Sequence, residues 1–343
     1  MPNLFSWLTG LFHSAEQKGT PVRNSRLLNP AVSTEAEEPD TNLALHRLEE
    51  NLFCWLLSAT PSQLEQPSEN ARQVLTELSE RVKAGKLDEL PRQPLTLPTL
   101  MRALSDETTG RHELTQIILR DPALTDQILS VANSPYFRPT EQSIDSVDQA
   151  IFLLGMDGIR SVISATILRP MLAARNSSEA LFAQRVWRWG MVCARAAEQI
   201  SRLQGGDTSA FFMVALLPAM AYMTLRREVQ RIYRARIPGV ETEPQVVRQA
   251  LEQFDWATTQ LLAKDWNLPP RYHAHLFSAE RPAPRAESTP LNDGIILGTR
   301  EVLRQSHQRN LAEEDLRKLL RLDERQFATV RGHLLAMLRD GTT

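Results

Sequence analysis

Apolar residues along this chain recur three and four positions apart, the spacing that gathers side chains onto one face of an α-helix. Leu45, Leu48, Leu52, Trp55 and Leu56 make one such stripe, stopped by Thr60-Pro61. Val74, Leu75, Leu78 and Val82 make a second, ending near Gly85. Pro91, Pro94 and Pro98 then break the chain before a long helical region that continues, with short interruptions, to about Trp266. Inside it, Asp121-Pro122 places an N-cap carboxylate ahead of a proline at the first helical position, where the missing N–H costs nothing. Asn133-Ser134-Pro135 closes that helix, and Ser146 with Gln149 has the spacing of a capping box, opening a helix that Gly155 ends. With no alternating β-branched runs joined by hairpin turns and no fixed-period repeat, the pattern predicts an all-α fold.

The two ends have a different character. Leu4, Phe5, Trp7, Leu8, Leu11 and Phe12 make residues 1–19 an amphipathic segment without a Lys or Arg among the first seventeen residues. Trp7, Leu8, Leu11 and Phe12 are therefore expected to dock, on this protein's own body, in a partner's groove or peripherally on a membrane. The segment lacks the basic start and cleavage site of a secretory signal. Residues 20–40, with Pro21, Pro30, Pro39 and the acids Glu35, Glu37 and Glu38, read as a flexible linker. A helical lead-in over 41–90 follows, and residues 290–343 read as a C-terminal helical cap. The stretch from Ala210 to Met223 is interrupted by Pro218 and too short for the ~30 Å hydrocarbon layer of a bilayer, so it reads as a core helix.

Composition narrows the function. The chain is 42% hydrophobic and 23% charged with a net charge of -2, which gives no global attraction to nucleic acid, and none is expected as a partner. Cys54 and Cys193 sit inside helical patterns and suit free thiols in a reducing, cytoplasmic compartment. There is no phosphate loop, CxxC or GxSxG motif. The seven histidines are scattered, and the one close pair, His273 and His275, is two apart, on different faces of a helix. Helix-borne metal ligands want a separation of three or four, so neither metal nor cofactor is expected. Arg226, Arg227, Arg231, Arg234 and Arg236 form a basic run with Arg227, Arg231 and Arg234 on one face. They make either a solvated face opposite Leu225, Val229 and Ile232 or a contact for an anion or acidic partner.

The ordered strings LPTLMRAL, ILRDPALTDQILSVANSPYF and SIDSVDQAIFLLGMDGIRSVI resemble the opening of HDOD domains. The similarity continues through RVWRWGMVCARAAEQI, FFMVALLPAMAYM and LEQFDWATTQLLAKDWNLPP, covering about Pro94 to Pro282 and placing the domain at 91–285. The resemblance implies an HD-like helical bundle related to the HD metal-dependent phosphohydrolases, whose histidines and His-Asp pair bind a divalent metal and activate water. It puts Trp189, Pro218, Ala219 and Trp256 at the former ligand positions, with a final pair near Ala279 and Glu280. None of these is a histidine. The family therefore implies a non-catalytic bacterial signalling module that binds another signalling protein or a second copy of itself. The competing readings are a residual phosphohydrolase of nucleotides or cyclic dinucleotides and a nucleic-acid-binding regulator using the arginines. Trp189 lies on the stripe Val186, Trp189, Cys193, Ala196, Ile200, Leu203, which marks a buried face. With Trp256 it is expected to face Ala215 and Ala219 and fill the metal's volume as packed interior without a water-filled cavity, while Pro218 kinks its helix.

Overall fold

The computed structural model describes residues 39–93, 110–133, 143–279 and 289–340, and among these there are helices and no strand. The N-terminal segment with Trp7, Leu8, Leu11 and Phe12 lies outside the described residues. The lead-in consists of α1 (Pro39–Leu57), a short α2 (Pro61–Glu65) and α3 (Ala71–Lys83). Pro39 and Asp40, linker by composition, are instead the first residues of α1, where a proline sacrifices no hydrogen bond. Thr60 does more than stop α1: it caps α2 in a reciprocal box with Gln63. Gly85 then turns the chain out of α3 at φ 63°, a conformation that costs other residues far more than glycine.

A smaller group follows, α4 (Arg111–Leu119), α5 (Pro122–Ala132) and α6 (Val147–Leu168), with a 3-10 turn at Arg169–Leu172. The cap signals act as expected: the Asp121 carboxylate accepts the Leu124 N–H at 3.1 Å and the Ser146 hydroxyl accepts the Gln149 N–H at 3.2 Å. The Gln149 side chain, however, accepts from the Asp145 N–H rather than from the cap residue. Asn133 closes α5 by donating to the Leu129 and Ile144 carbonyls while accepting the Ile144 N–H. Gly155, at φ 69°, breaks α6 within its span.

The main layer is α7 (Ser177–Leu203), α8 (Thr208–Arg236), α9 (Pro244–Asp265) and α10 (Pro270–Ser278), followed by α11 (Pro290–Gln305), α12 (Glu313–Leu319) and α13 (Glu324–Asp340). Every residue of α8 from Thr208 to Leu225 is buried, the signature of a helix surrounded by other helices. By length and composition α8 could cross a bilayer, but its apolar stretch is wholly covered by the rest of the protein. It continues as one helix through Pro218.

Helix α7 lies between α8 on one side and α11 on the other. The α7–α11 contact is backbone against backbone. A Cβ built on Gly298 would stand 2.6 Å from Cys193 Cα, and one on Gly294 would stand 2.6 Å from Ala197 Cα. This double cover explains why Trp187 and Arg188 are buried along with the expected stripe, while Leu203, at the end of that stripe, is exposed. The remaining joint is electrostatic: Glu301 of α11, fully buried, accepts from Arg300 and Arg304 and forms an ion pair at 3.5 Å with Arg331 of α13.

Candidate functional site

Three of the positions at which the resemblance puts former metal ligands, Trp189, Pro218 and Trp256, border one space where α1, α7, α8, α9 and α11 meet. Trp189 of α7 is buried, stacks on Tyr222 of α8 with ring centroids 4.8 Å apart, and donates its indole N–H to Thr299 Oγ1 of α11 at 2.8 Å. A tryptophan so placed satisfies both its apolar body and its one donor. Pro218 and Ala219 are buried on α8. Ala219 abuts α7 at Gly190, the residue after Trp189, where an added Cβ would come within 2.7 Å. Tyr222, one turn further on, stacks on the Trp189 indole.

The expectation of a seamless interior needs correction. Trp189, Pro218, Tyr222 and Trp256 border a cavity of about 50 Å³, closed by Leu45, Leu48 and Leu52 of α1 and by Ile295 and Ile296 of α11. Trp256, half-buried, lines this space without filling it. A water molecule occupies ~30 Å³ in the liquid, so the space suits a few atoms and falls far below the ~300–1,000 Å³ of ordinary ligand pockets. Two carboxylates, Glu49 and Asp255, reach its wall from α1 and α9. Among the described residues no three His, Cys, Asp or Glu side chains are grouped as a metal site. His275 is elsewhere, its ring 4.2 Å from that of Phe211, and burial lowers its pKa although Asp207 opposes this.

Glu252 sits one turn before Trp256. Burial, reinforced by Asp255 and opposed by Arg248 at 3.7 Å, pushes its carboxyl up to about 7. A carboxyl raised in the folded state holds a proton that the unfolded chain has released, so it lowers stability as pH climbs from 4.5 towards about 7. Across that window the melting temperature of the wild type should fall relative to that of Glu252→Gln. Parallel curves for the two proteins would contradict this.

The arginine run is not one solvated face. Arg227 is buried, donates to both Glu179 oxygens at 2.7 and 3.2 Å, and also donates to the Met171 and Ala173 carbonyls. Arg231 pairs with Asp88, Arg236 with Glu77 at 2.8 Å, and Arg226 covers the Phe182 ring at 4.6 Å. Arg234 is exposed. Sequence spacing missed this because the acids that claim the guanidinium groups lie on α3, on the turn after it and on α7. The cysteines offer no nucleophile: both are free thiols, burial raises both, and Cys54 is pushed up to about 12.

A model of the HDOD domain family matches residues 90–282. The uncharacterised protein YuxH of Bacillus subtilis (strain 168) is 28% identical over 133 residues, 39% of this chain, and the chain spans 31% of that relative's length. Among solved structures, an HDOD domain protein of unknown function from Geobacter sulfurreducens matches with a TM-score of 0.52 at 15% identity, covering 80% of this chain and 96% of its own. A protein of Shewanella amazonensis SB2B, provisionally named a metal-dependent phosphohydrolase, gives 0.54 at 15% identity over 80% of this chain and 100% of its own. One of Marinobacter aquaeolei VT8, provisionally named a signal transduction protein, gives 0.53 at 16% identity over 82% and 68%. At these identities the likeness establishes the fold alone. With its family model spanning more than half of the sequence and its helical fold recurring in these structures, the chain belongs to the HDOD domain family.

Proposed function

We propose that this HDOD protein is a non-catalytic module of bacterial signal transduction, working in the cytoplasm by binding another protein. One observation carries the reading. By the resemblance, the positions that would bind metal in the HD phosphohydrolases are held by Trp189, Pro218, Ala219 and Trp256, and three of these, Trp189, Pro218 and Trp256, border a space of about 50 Å³. A nucleotide with its metal and waters needs a pocket several times larger, on the order of 300 Å³ or more. Opening one would separate α1 and α11 from the core and break the Trp189–Thr299 hydrogen bond. The provisional name of the Marinobacter protein agrees with a signalling role, and the amphipathic residues 1–19 supply a candidate docking element.

The test is affinity capture from the native host with the full chain and with a chain lacking residues 1–19. A stoichiometric partner retained by the full chain and lost from the shortened one is the expected result. A purified protein that captures no partner and turns over nucleotides or cyclic dinucleotides would sink the proposal.

A further inference from the structure

Residues 1–38 precede α1, and among them Leu4, Trp7, Leu8 and Leu11 fall at i, i+3, i+4 and i+7, the anchor spacing of a helix that lies in an apolar groove. The junction of α1, α9 and α11 offers such a groove. Leu45 of α1, Trp256 of α9 and Ile295 and Ile296 of α11 line one cavity, and each is only half-buried. The space of about 50 Å³ behind them takes a few more atoms, the tip of one aliphatic anchor rather than a whole indole.

We propose that residues 4–12 dock, in the free protein, across this groove between α1, α9 and α11 of the same chain. The length of the preceding chain and the place where it joins the fold select this occupant. Pro39, where α1 begins, stands six residues before Leu45, which is ~9 Å along the axis at the α-helical rise. A polar chain of the length of residues 20–38 spans roughly 25 Å on average. The segment is therefore tethered beside the groove at an effective concentration on the order of millimolar, which a second copy in dilute solution does not reach. Its charge suits the same place. With no Lys or Arg among its first seventeen residues it has nothing to hold an anionic lipid surface. With no acid before Glu16 it brings no like charge to Glu49 and Asp255 on the groove wall. Docking removes the apolar faces of segment and groove from water together. The inference rests on the reading of residues 1–19 as a docking element but not on any partner, so it can fail while the proposed function stands. A partner that takes the segment must first draw it off the groove.

The experiment places the photo-reactive amino acid p-benzoylphenylalanine at Phe12 of the full chain, irradiates the purified protein in dilute solution, and maps the cross-links by mass spectrometry. The expected products lie within one chain and join residue 12 to the stretches 45–52, 252–256 or 292–299. Leu4→Asp together with Leu8→Asp should lower their yield at least about tenfold. Ile296→Asp should do the same from the groove side, with circular dichroism confirming that it folds; should it not fold, the segment variants decide. Cross-links only between two chains would make a second copy the occupant and overturn the proposal. Cross-links within the chain to another apolar surface, such as exposed Phe152 of α6 or Phe277 of α10, overturn it equally. So does a yield unchanged by the Leu4 and Leu8 substitutions, or no cross-link at all, which would reserve the segment for a partner or a lipid surface.

Discussion

Gly298→Ala is expected to cost about 2–4 kcal/mol of folding stability, among the largest effects of any single methyl group in this protein. Glycine to alanine in an exposed helix normally does the opposite, because it removes freedom from the unfolded chain. Here the new Cβ would lie 2.6 Å from Cys193 Cα, 2.7 Å from its N and 2.8 Å from its Sγ. Two of those atoms are backbone, so no rotamer change relieves the clash and α11 must move off α7. That movement also pulls Thr299, the next residue, away from the indole of Trp189. Gly332 on α13 is the internal control: nothing lies within 4 Å of its would-be Cβ, so Gly332→Ala should be neutral or slightly stabilising. Urea unfolding of the three proteins decides the matter, and an unchanged midpoint for Gly298→Ala would show that α11 does not pack on α7 as described.

Arg227→Met should cost about 3–5 kcal/mol, the range found when one member of a buried ion pair is removed and the other charge stays behind. The stranded group is Glu179, buried in the first turn of α7, where only the Arg175 backbone N–H would still serve it. A solvated surface arginine would cost less than about 0.5 kcal/mol. The pH dependence gives an independent sign. Burial alone would raise the Glu179 carboxyl, but the hydrogen bonds from Arg227 and from the Arg175 N–H overcome it and hold the carboxyl below its usual 4.5. A depressed carboxyl contributes stability above that value and loses it as pH falls through the folded pKa. Without Arg227, burial wins and the penalty applies at neutral pH. The stability gap between wild type and variant should therefore narrow on acidification, and a gap independent of pH would contradict the pairing.

What the sequence made legible was local. Caps such as Asp121-Pro122 and Ser146 act over three or four residues, so helix starts could be placed, and the ordered strings from LPTLMRAL onward pointed to the family whose model covers 90–282. What escaped was long-range. Gly294 and Gly298 look like ordinary weak helix formers until Ala197 and Cys193 are set against them. The arginines of α8 look solvated until Glu77, Asp88 and Glu179 arrive from other elements. The positions at which the resemblance puts former ligands could be named one by one, but the space they border also depends on Tyr222 and on two helices outside the family match. A cavity is a difference between packed volumes, and no single residue encodes it.

The proposal that the metal position has become protein interior is tested most directly by metal content. Purified full-length protein would be equilibrated with iron(II), manganese and zinc, freed of excess by gel filtration, and assayed by mass spectrometry alongside hydrolysis of nucleotides and cyclic dinucleotides. The account predicts only substoichiometric metal and no turnover above a protein-free blank. One tightly held metal per chain, lost together with hydrolysis when Glu49 and Asp255 are replaced, would show that the site was rebuilt rather than filled.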